Sequence, residues 1–255
     1  MIFSLFWVRY LYQCPDLLSS RGRVIWHMSL VISLRYEGGI LLACDSKAYA
    51  SSFEPTEPVC KMAGLSRFCA AGFTGVGHVA DCVISQLGGT SDRYIDIALL
   101  RDLSNLLYRE YGRSRRDALP EDKKIPVNAL VVGYSNDAGK VSPVMYGISS
   151  EAFFHSELLR KHYCVIGITD VAHQLLLRHF RKDMPFREAA GLAYLMLDAT
   201  SEIRPEQVGS PFRIATITAS EGYHEFVEPE EISPLQGRVP AYKAGIAKVF
   251  TETFQ

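Results

Sequence analysis

The sequence LVISLRYEGGILLACD, residues 30–45, has the pattern of a β-hairpin. Two apolar runs, residues 30–36 and 39–44, flank the residues Glu37-Gly38-Gly39. Glycine can adopt the positive φ that a tight hairpin turn requires, so this pattern predicts two antiparallel strands joined by a short turn. We therefore expect the chain to open with a β-hairpin.

The rest of the chain alternates predicted hairpins with pairs of predicted helices. A second hairpin is predicted from strands at 58–63 and 67–71, with residues 64–66 as its turn. Apolar residues at helical spacing predict a helix after Thr74, which we expect to cap it, and a second helix from Asp92 to about residue 111. Further strands are predicted at 127–134, 140–147, 163–168, 211–218 and 223–227, and further helices at 170–181 and 185–201. This order fits an α+β fold, a four-layer αββα sandwich of two antiparallel sheets.

Composition narrows the class of protein. The chain has 255 residues, 48% of them hydrophobic and 22% charged, which fits one globular domain. The net charge of -1 gives no reason to expect nucleic acid or an anionic membrane as a partner. The six cysteines form no CxxC pair, so we expect no metal, no cofactor and a cytoplasmic protein without disulfides.

The most informative polar residue is Lys61, because it lies in the apolar segment PVCKMAG. A buried ammonium group costs several kcal/mol unless it is paired. Asp45, at the end of the second predicted strand, is the nearest plausible partner. Composition alone leaves another interpretation open, in which Lys61 reaches the surface at a strand end and Asp45 caps a turn.

The amino-terminal half resembles proteasome β-type subunits, which are N-terminal-nucleophile (Ntn) hydrolases, and their bacterial relatives. The likeness lies in the hairpin, in the turn Asp45-Ser46-Lys47 and in the sequence GHVAD at 77–81. It covers residues 29–87 well and the remainder only in the order of elements. The family's spacing places the nucleophile sixteen residues before the aspartate and a lysine sixteen residues after it, and Ser29 and Lys61 stand there.

The resemblance implies a role for each of these residues. Ser29 would be the nucleophile with its own α-amine as general base, since an α-amine titrates near 7.7–8.0. Lys61 would lower the hydroxyl pKa, and Asp45 would hold the ammonium. The N–H of Gly77 would stabilise the oxyanion, with Gly75 as a rival donor. Lys47 and Tyr49 would contact the substrate.

Several residues depart from the family's pattern. Serine replaces the usual threonine at position 29, which removes the methyl group that restricts χ1. The serine and aspartate that usually support the terminal amine are absent from the second half, where Thr169, Glu206 or Ser210 are the candidate substitutes. The sequence VGSP at 208–211 resembles the proteasome-related bacterial Anbu group.

The chemistry requires a free amine on Ser29, so the first 28 residues need an explanation. Residues 1–27 hold both tryptophans of the chain and show no regular periodicity. Met28 has the character of an initiator methionine, which an aminopeptidase removes before a small residue such as serine. We expect residues 1–28 to be an upstream extension or a propeptide, and residues 29–255 to form the domain.

The function that this resemblance implies is hydrolysis of peptide bonds in protein or peptide substrates. The expected partners are further copies of the chain, in a ring or stacked oligomer, and an ATPase or other regulator. We expect self-association because a monomer would leave the apolar faces of helices such as 185–201 only partly covered. Two alternatives stay open, an inactive structural subunit and a non-proteolytic Ntn amidase.

Overall fold

The computed structural model describes residues 29–47, 58–75, 77–87, 89, 91–117, 125–226, 237 and 240. Ten strands in this part of the chain form two five-stranded sheets with antiparallel pairing between neighbours. The two tryptophans, the predicted start at Met28 and Tyr49 lie outside the described residues.

The first sheet contains the opening hairpin at its centre. Its strand order is β10-β9-β2-β1-β8. The hairpin register pairs Tyr36 with Gly39 and Val31 with Cys44, as the glycine turn predicts. The strands are β1 (Leu30–Tyr36), β2 (Gly39–Cys44), β8 (Tyr163–Gly167), β9 (Arg213–Thr218) and β10 (Gly222–Phe226).

The second sheet follows chain order, β3-β4-β5-β6-β7. Its longest pair closes at Ala138-Gly139, where the Gly139 N–H donates to Asn136 Oδ1 at 3.0 Å. The strands are β3 (Met62–Ser66), β4 (Cys69–Thr74), β5 (Asn128–Asp137), β6 (Lys140–Ser149) and β7 (Ser156–Leu158). A short 3₁₀ helix, Ser150–Ala152, joins β6 to β7.

In the described part of the chain, four α-helices cover the outer faces of the sheets. They are α1 (Gly77–Leu87), α2 (Ile97–Asp117), α3 (Asp170–His179) and α4 (Phe186–Ile203). One buried cluster joins α1 and α2 to the second sheet, another joins α3 and α4 to the first, and a third fills the space between the sheets. The predicted four-layer αββα sandwich of an α+β fold is therefore confirmed.

The second hairpin turns later than the sequence pattern predicts. β3 begins at Met62, and the turn lies at Arg67-Phe68 rather than at residues 64–66. Gly64 is required for close packing instead of for a turn, because a Cβ there would lie 2.8 Å from Cδ1 of Tyr223. Gly64 in β3 thus leaves room for the Tyr223 ring, which belongs to β10 of the other sheet.

Two helix starts also differ from the prediction. Thr74 is the last residue of β4 and does not cap α1, which begins at Gly77. The second helix begins at Ile97 rather than at Asp92, because the Asp96 carboxylate accepts the N–H of Leu99 at 2.6 Å. An aspartate that accepts an N–H of the first helical turn is a typical N-cap.

The apolar face of α4 is covered within the monomer, contrary to the reason given above for self-association. The cluster on the first sheet includes Ala189, Ala190, Leu192, Ala193, Met196 and Leu197 of this helix. Large apolar side chains are exposed at the end of α4, at Ile203, and on other elements, at Ile97, Tyr108, Phe153 and Leu177. Among the described helices, none combines the length and the hydropathy needed to cross a membrane.

Candidate active site

The candidate site lies where β2 ends and β3 begins. Asp45 directly follows β2, and Lys61 directly precedes β3. The Lys61 ammonium donates to Asp45 Oδ2 at 2.8 Å, and the two side chains are 8% and 0% exposed. The interpretation in which Lys61 reaches the surface is therefore wrong, because the ammonium is buried against a carboxylate.

Asp45 also binds the start of β1. Its Oδ1 accepts the N–H of Leu30 at 2.9 Å, and its Oδ2 accepts the N–H of Lys47 at 3.1 Å. Burial raises the pKa of the Asp45 carboxyl above its ordinary value, while the Lys61 ammonium and the two N–H donors act in the opposite direction. One carboxyl group thus connects the lysine, the strand that follows Ser29 and the turn after β2.

Ser29 is buried, 2% exposed, directly before Leu30. Its carbonyl accepts the N–H of Ile168 at 2.9 Å. Gly167 makes this approach possible, since its φ is +92° and a Cβ there would lie 2.0 Å from the Ser29 carbonyl oxygen. Ser29 is therefore fixed on one side by the end of β8 and on the other through the bond from Leu30 to Asp45.

Gly77 is the first residue of α1, while its rival Gly75 lies in the bend after β4. N–H groups in the first turn of a helix have no acceptor within the helix, and the helix dipole makes this end positive. Gly75 has another role, because its φ is +103° and a Cβ there would lie 2.0 Å from the Pro126 carbonyl oxygen. Gly77 stays the predicted oxyanion donor.

Lys47 lies beside the turn at 205–209. Its ammonium donates to the carbonyl of Pro205, and a Cβ at Gly209 would lie 2.8 Å from Lys47 Cδ. The Ser46 N–H donates to the Gly209 carbonyl at 3.3 Å, which ties the same two turns together. Lys47 therefore makes structural contacts in addition to its predicted contact with substrate.

The residues suggested as replacements for the usual support of the terminal amine have different surroundings. Glu206 and Ser210 are exposed, and Thr169 precedes α3 without a side-chain cap hydrogen bond. Gln207 is instead the buried polar residue of this turn, 1% exposed. Its Nε2 and the buried Oγ of Ser46 have no hydrogen-bond partner within the part of the chain that the structure describes.

Sequence reasoning missed Gln207 because nothing in a turn distinguishes an inward amide from the outward residues beside it. The described residues contain no group of three or more histidine, cysteine, aspartate or glutamate side chains that could hold a metal ion. The chemistry that can be derived from the site rests on Ser29, Asp45, Lys61 and the start of α1.

No family model matches the sequence, and no curated protein matches it either. Solved structures do match. Anbu from Pseudomonas aeruginosa, described as a helical assembly, superposes with a TM-score of 0.69 at 17% identity, over 88% of this chain and 96% of that one. The chain has the fold of the Anbu proteins.

Two further Anbu structures match over similar lengths. Anbu from Yersinia bercovieri, described as an ancestral β-subunit, has a TM-score of 0.61 at 18% identity, with 87% of this chain and 96% of that one covered. A Gly-1 mutant of Anbu from Hyphomicrobium sp. strain MC1 gives 0.61 at 16% identity, with 89% and 100% covered. These Anbu neighbours are bacterial proteasome-related subunits, in agreement with the resemblance found in the sequence.

Proposed function

We propose that the chain is a proteasome-related Ntn hydrolase that cleaves peptide bonds through an acyl-enzyme on Ser29. The observation that carries this proposal is the buried ion pair between Lys61 and Asp45, bonded to the N–H of the residue after Ser29. A buried ammonium group is costly in a protein interior and is typical of a functional site. The Anbu fold supports the same class of protein.

In the proposed first step, the α-amine of Ser29 takes the proton from Oγ as Oγ attacks the carbonyl carbon of the scissile peptide bond. The positive charge of Lys61 lowers the hydroxyl pKa, and Asp45 compensates the burial of that charge. The N–H of Gly77 donates to the oxyanion that forms.

The tetrahedral intermediate then collapses. Its C–N bond breaks, and the protonated α-amine gives its proton to the departing nitrogen, which leaves an ester on Oγ. Water attacks the carbonyl carbon of this ester while the α-amine takes a proton from the water. The bond between that carbon and Oγ then breaks, and the second peptide fragment leaves. The proton returns to Oγ, so Ser29 is restored.

This mechanism requires that residues 1–28 be removed, because a serine inside a chain has an amide nitrogen instead of a basic amine. We propose that removal of Met28 after a start at that codon exposes Ser29. Lys47 and Tyr49 are proposed to contact the substrate. The proposed partners are peptide or protein substrates, further copies of the chain and an ATPase or regulator, all in the cytoplasm.

Steady-state assays with short fluorogenic peptides test the proposal, using protein whose mature first residue is Ser29. We expect hydrolysis by this protein and none by its Ser29→Ala variant. Absence of hydrolysis in both would contradict the proposal and favour an inactive structural subunit, a second candidate that the exposed Glu206 and Ser210 favour. Cleavage of small amides with no cleavage of peptides would instead identify a non-proteolytic amidase.

A further inference from the structure

A second polar network lies one residue before Lys61, at Cys60 in the segment that leads into β3. Arg213, the first residue of β9, is the register partner of Cys44 and shares a face with Ala215 and Ile217, which pack between the sheets. The Arg213 side chain is 27% exposed, so it lies at the margin of this inter-sheet core.

The guanidinium of Arg213 links β10 of its own sheet to the segment that leads into β3. Its Nη1 donates to the sulfur of Cys60, and its Nε donates to Glu225 Oε1 at 2.5 Å. The Tyr223 hydroxyl donates to Glu225 Oε2 at 2.9 Å. The fork shape of a guanidinium allows it to bind a carboxylate and a second acceptor at the same time, which an ammonium does less well.

The Cys60 thiol uses both of its hydrogen-bonding capacities in this network. Its S–H donates to the carbonyl of Met62, and its sulfur accepts the N–H of Arg213. The Cys60 side chain therefore connects the backbone of Met62, the residue after Lys61, with Arg213 of β9. Loss of either group would leave a half-buried donor or acceptor to be satisfied by water.

Each of residues 59–61 is thus tied to the first sheet or to the turn that follows β2. The N–H of Val59 donates to the Ser46 carbonyl at 2.9 Å. The Cys60 sulfur accepts the N–H of Arg213, and the Lys61 ammonium donates to Asp45. The contact with Arg213 is therefore made by the residue directly before Lys61.

We propose that Arg213 is a positioning residue for Lys61, acting through the sulfur of Cys60. The catalytic consequence rests on the proposed function. Arg213 does not touch the reacting atoms; it fixes the backbone from which the lysine side chain extends toward Asp45. A misplacement of about 1 Å in a catalytic group is enough to cost about 100-fold in rate.

The test compares five variants of the chain that begins at Ser29. Arg213→Met removes the fork and keeps the aliphatic stem, and Cys60→Ala removes the acceptor. Arg213→Lys and Cys60→Ser are the conservative variants, since each keeps hydrogen-bonding capacity at its position. Arg109→Met is the matched control, because Arg109 pairs with the buried Glu110 on α2 and Arg113 remains to cover that carboxylate.

The first measurement is the split between kcat and KM for peptide hydrolysis. We expect Arg213→Met and Cys60→Ala to lower kcat at least ten-fold with KM changed less than two-fold. Cys60→Ser is expected to stay within three-fold of the parent kcat, and Arg109→Met to leave kcat unchanged. The loss of kcat in Arg213→Lys should lie between those in Cys60→Ser and Arg213→Met. A kcat within two-fold of the parent in folded Arg213→Met would overturn the proposal, even if Cys60→Ala were impaired.

The second measurement does not depend on hydrolysis. The ¹⁵Nζ resonance of Lys61, assigned by its absence from the Lys61→Arg spectrum, reports the surroundings of the ammonium directly. We expect it to shift in Arg213→Met, Arg213→Lys and Cys60→Ala but not in Arg109→Met. If the parent protein hydrolyses no peptide, the proposed function fails and this resonance alone decides; an unmoved resonance overturns the positioning role.

Discussion

The Lys61 ammonium lies 2.8 Å from Asp45 Oδ2, and both groups are withdrawn from water. The other oxygen of the same carboxyl group accepts the N–H of Leu30, the residue after Ser29. A single carboxyl group therefore relates the position of the cation to the start of β1.

Replacing Lys61 with methionine should remove peptide hydrolysis and leave the fold intact. The substitution keeps most of the side-chain volume and deletes the charge that would lower the hydroxyl pKa of Ser29. We expect kcat to fall at least 100-fold, which steady-state assays measure. Lys182→Met is the control, because Lys182 is exposed on the loop between α3 and α4. Equal activity in the two variants would contradict a catalytic role for Lys61.

The stability of Lys61→Met should depend on pH more steeply than that of the parent protein. Burial already raises the pKa of Asp45, and loss of the ammonium removes the largest opposing influence. An aspartate whose folded pKa exceeds its unfolded value of about 4 binds more protons when folded, so it stabilises the protein at low pH and this contribution is lost as pH rises.

We therefore expect Lys61→Met to lower the free energy of unfolding by about 3 kcal/mol at neutral pH, since breaking a buried pair leaves one charge uncompensated. The deficit should shrink as pH falls toward the ordinary pKa of aspartate. Urea unfolding at several pH values measures it. A deficit that stays constant or grows on acidification would contradict this view of Asp45.

Gly167→Ala should disturb Ser29 through its backbone. The new Cβ would lie 2.0 Å from the Ser29 carbonyl oxygen, and φ is +92°. Gly139→Ala is a matched control, because φ there is +86° and nothing lies within 4 Å of the Cβ position. Positive φ alone costs about 1–2 kcal/mol, and overlap adds about 1–3 kcal/mol.

Chemical denaturation should therefore rank Gly167→Ala below Gly139→Ala in the free energy of unfolding. Only Gly167→Ala is expected to reduce hydrolysis, since its collision would shift the nucleophile. If both variants lost the same stability and kept the same activity, the contact between Gly167 and Ser29 would have no functional importance.

The sequence predicts the fold well where a local pattern has only one structural interpretation. The bounds predicted for the opening hairpin agree with β1 and β2, because two apolar runs joined by a glycine turn leave little freedom. The turn after β3 is misplaced because Gly64 accommodates Tyr223, which is remote in sequence. The short strand β7 carries no periodic signal and was not predicted.

The candidate site divides in the same way. The ion pair of Asp45 and Lys61 could be predicted from a lysine in an apolar segment together with the family resemblance, because a buried ammonium requires a partner. Gln207 and the contact of Arg213 with Cys60 depend on which residues of distant turns and strands face one another. The residues that flank Gln207, Cys60 and Arg213 in sequence form no pattern that predicts these contacts.

The chain that begins at Ser29 should self-associate. The P. aeruginosa Anbu protein with this fold forms a helical assembly, and large apolar side chains such as Ile97 and Leu177 are 85% and 67% exposed here. Sedimentation velocity at micromolar concentration should reveal an oligomer. The variants Ile97→Asn and Leu177→Asn, tested separately, should show which helix layer takes part; a monomeric parent protein would count against assembly.

The proposed mechanism requires Ser29 to act with a free α-amine, and covalent labelling can detect this pair of groups. Protein expressed from Met28 and from Met1 is treated with a peptidyl epoxyketone, which offers one electrophilic carbon to a hydroxyl group and a second to an amine. Intact mass and fragment spectra then locate any adduct. Ser29→Ala in the shorter protein is the control.

We predict that the shorter protein begins at Ser29 and gains one inhibitor, attached to that residue. The longer protein, if it retains residues 1–28, and the Ser29→Ala variant should gain none. An adduct on Ser29 in a chain that still carries Met1, or an unlabelled chain that begins at a free Ser29, would contradict the terminal-amine mechanism.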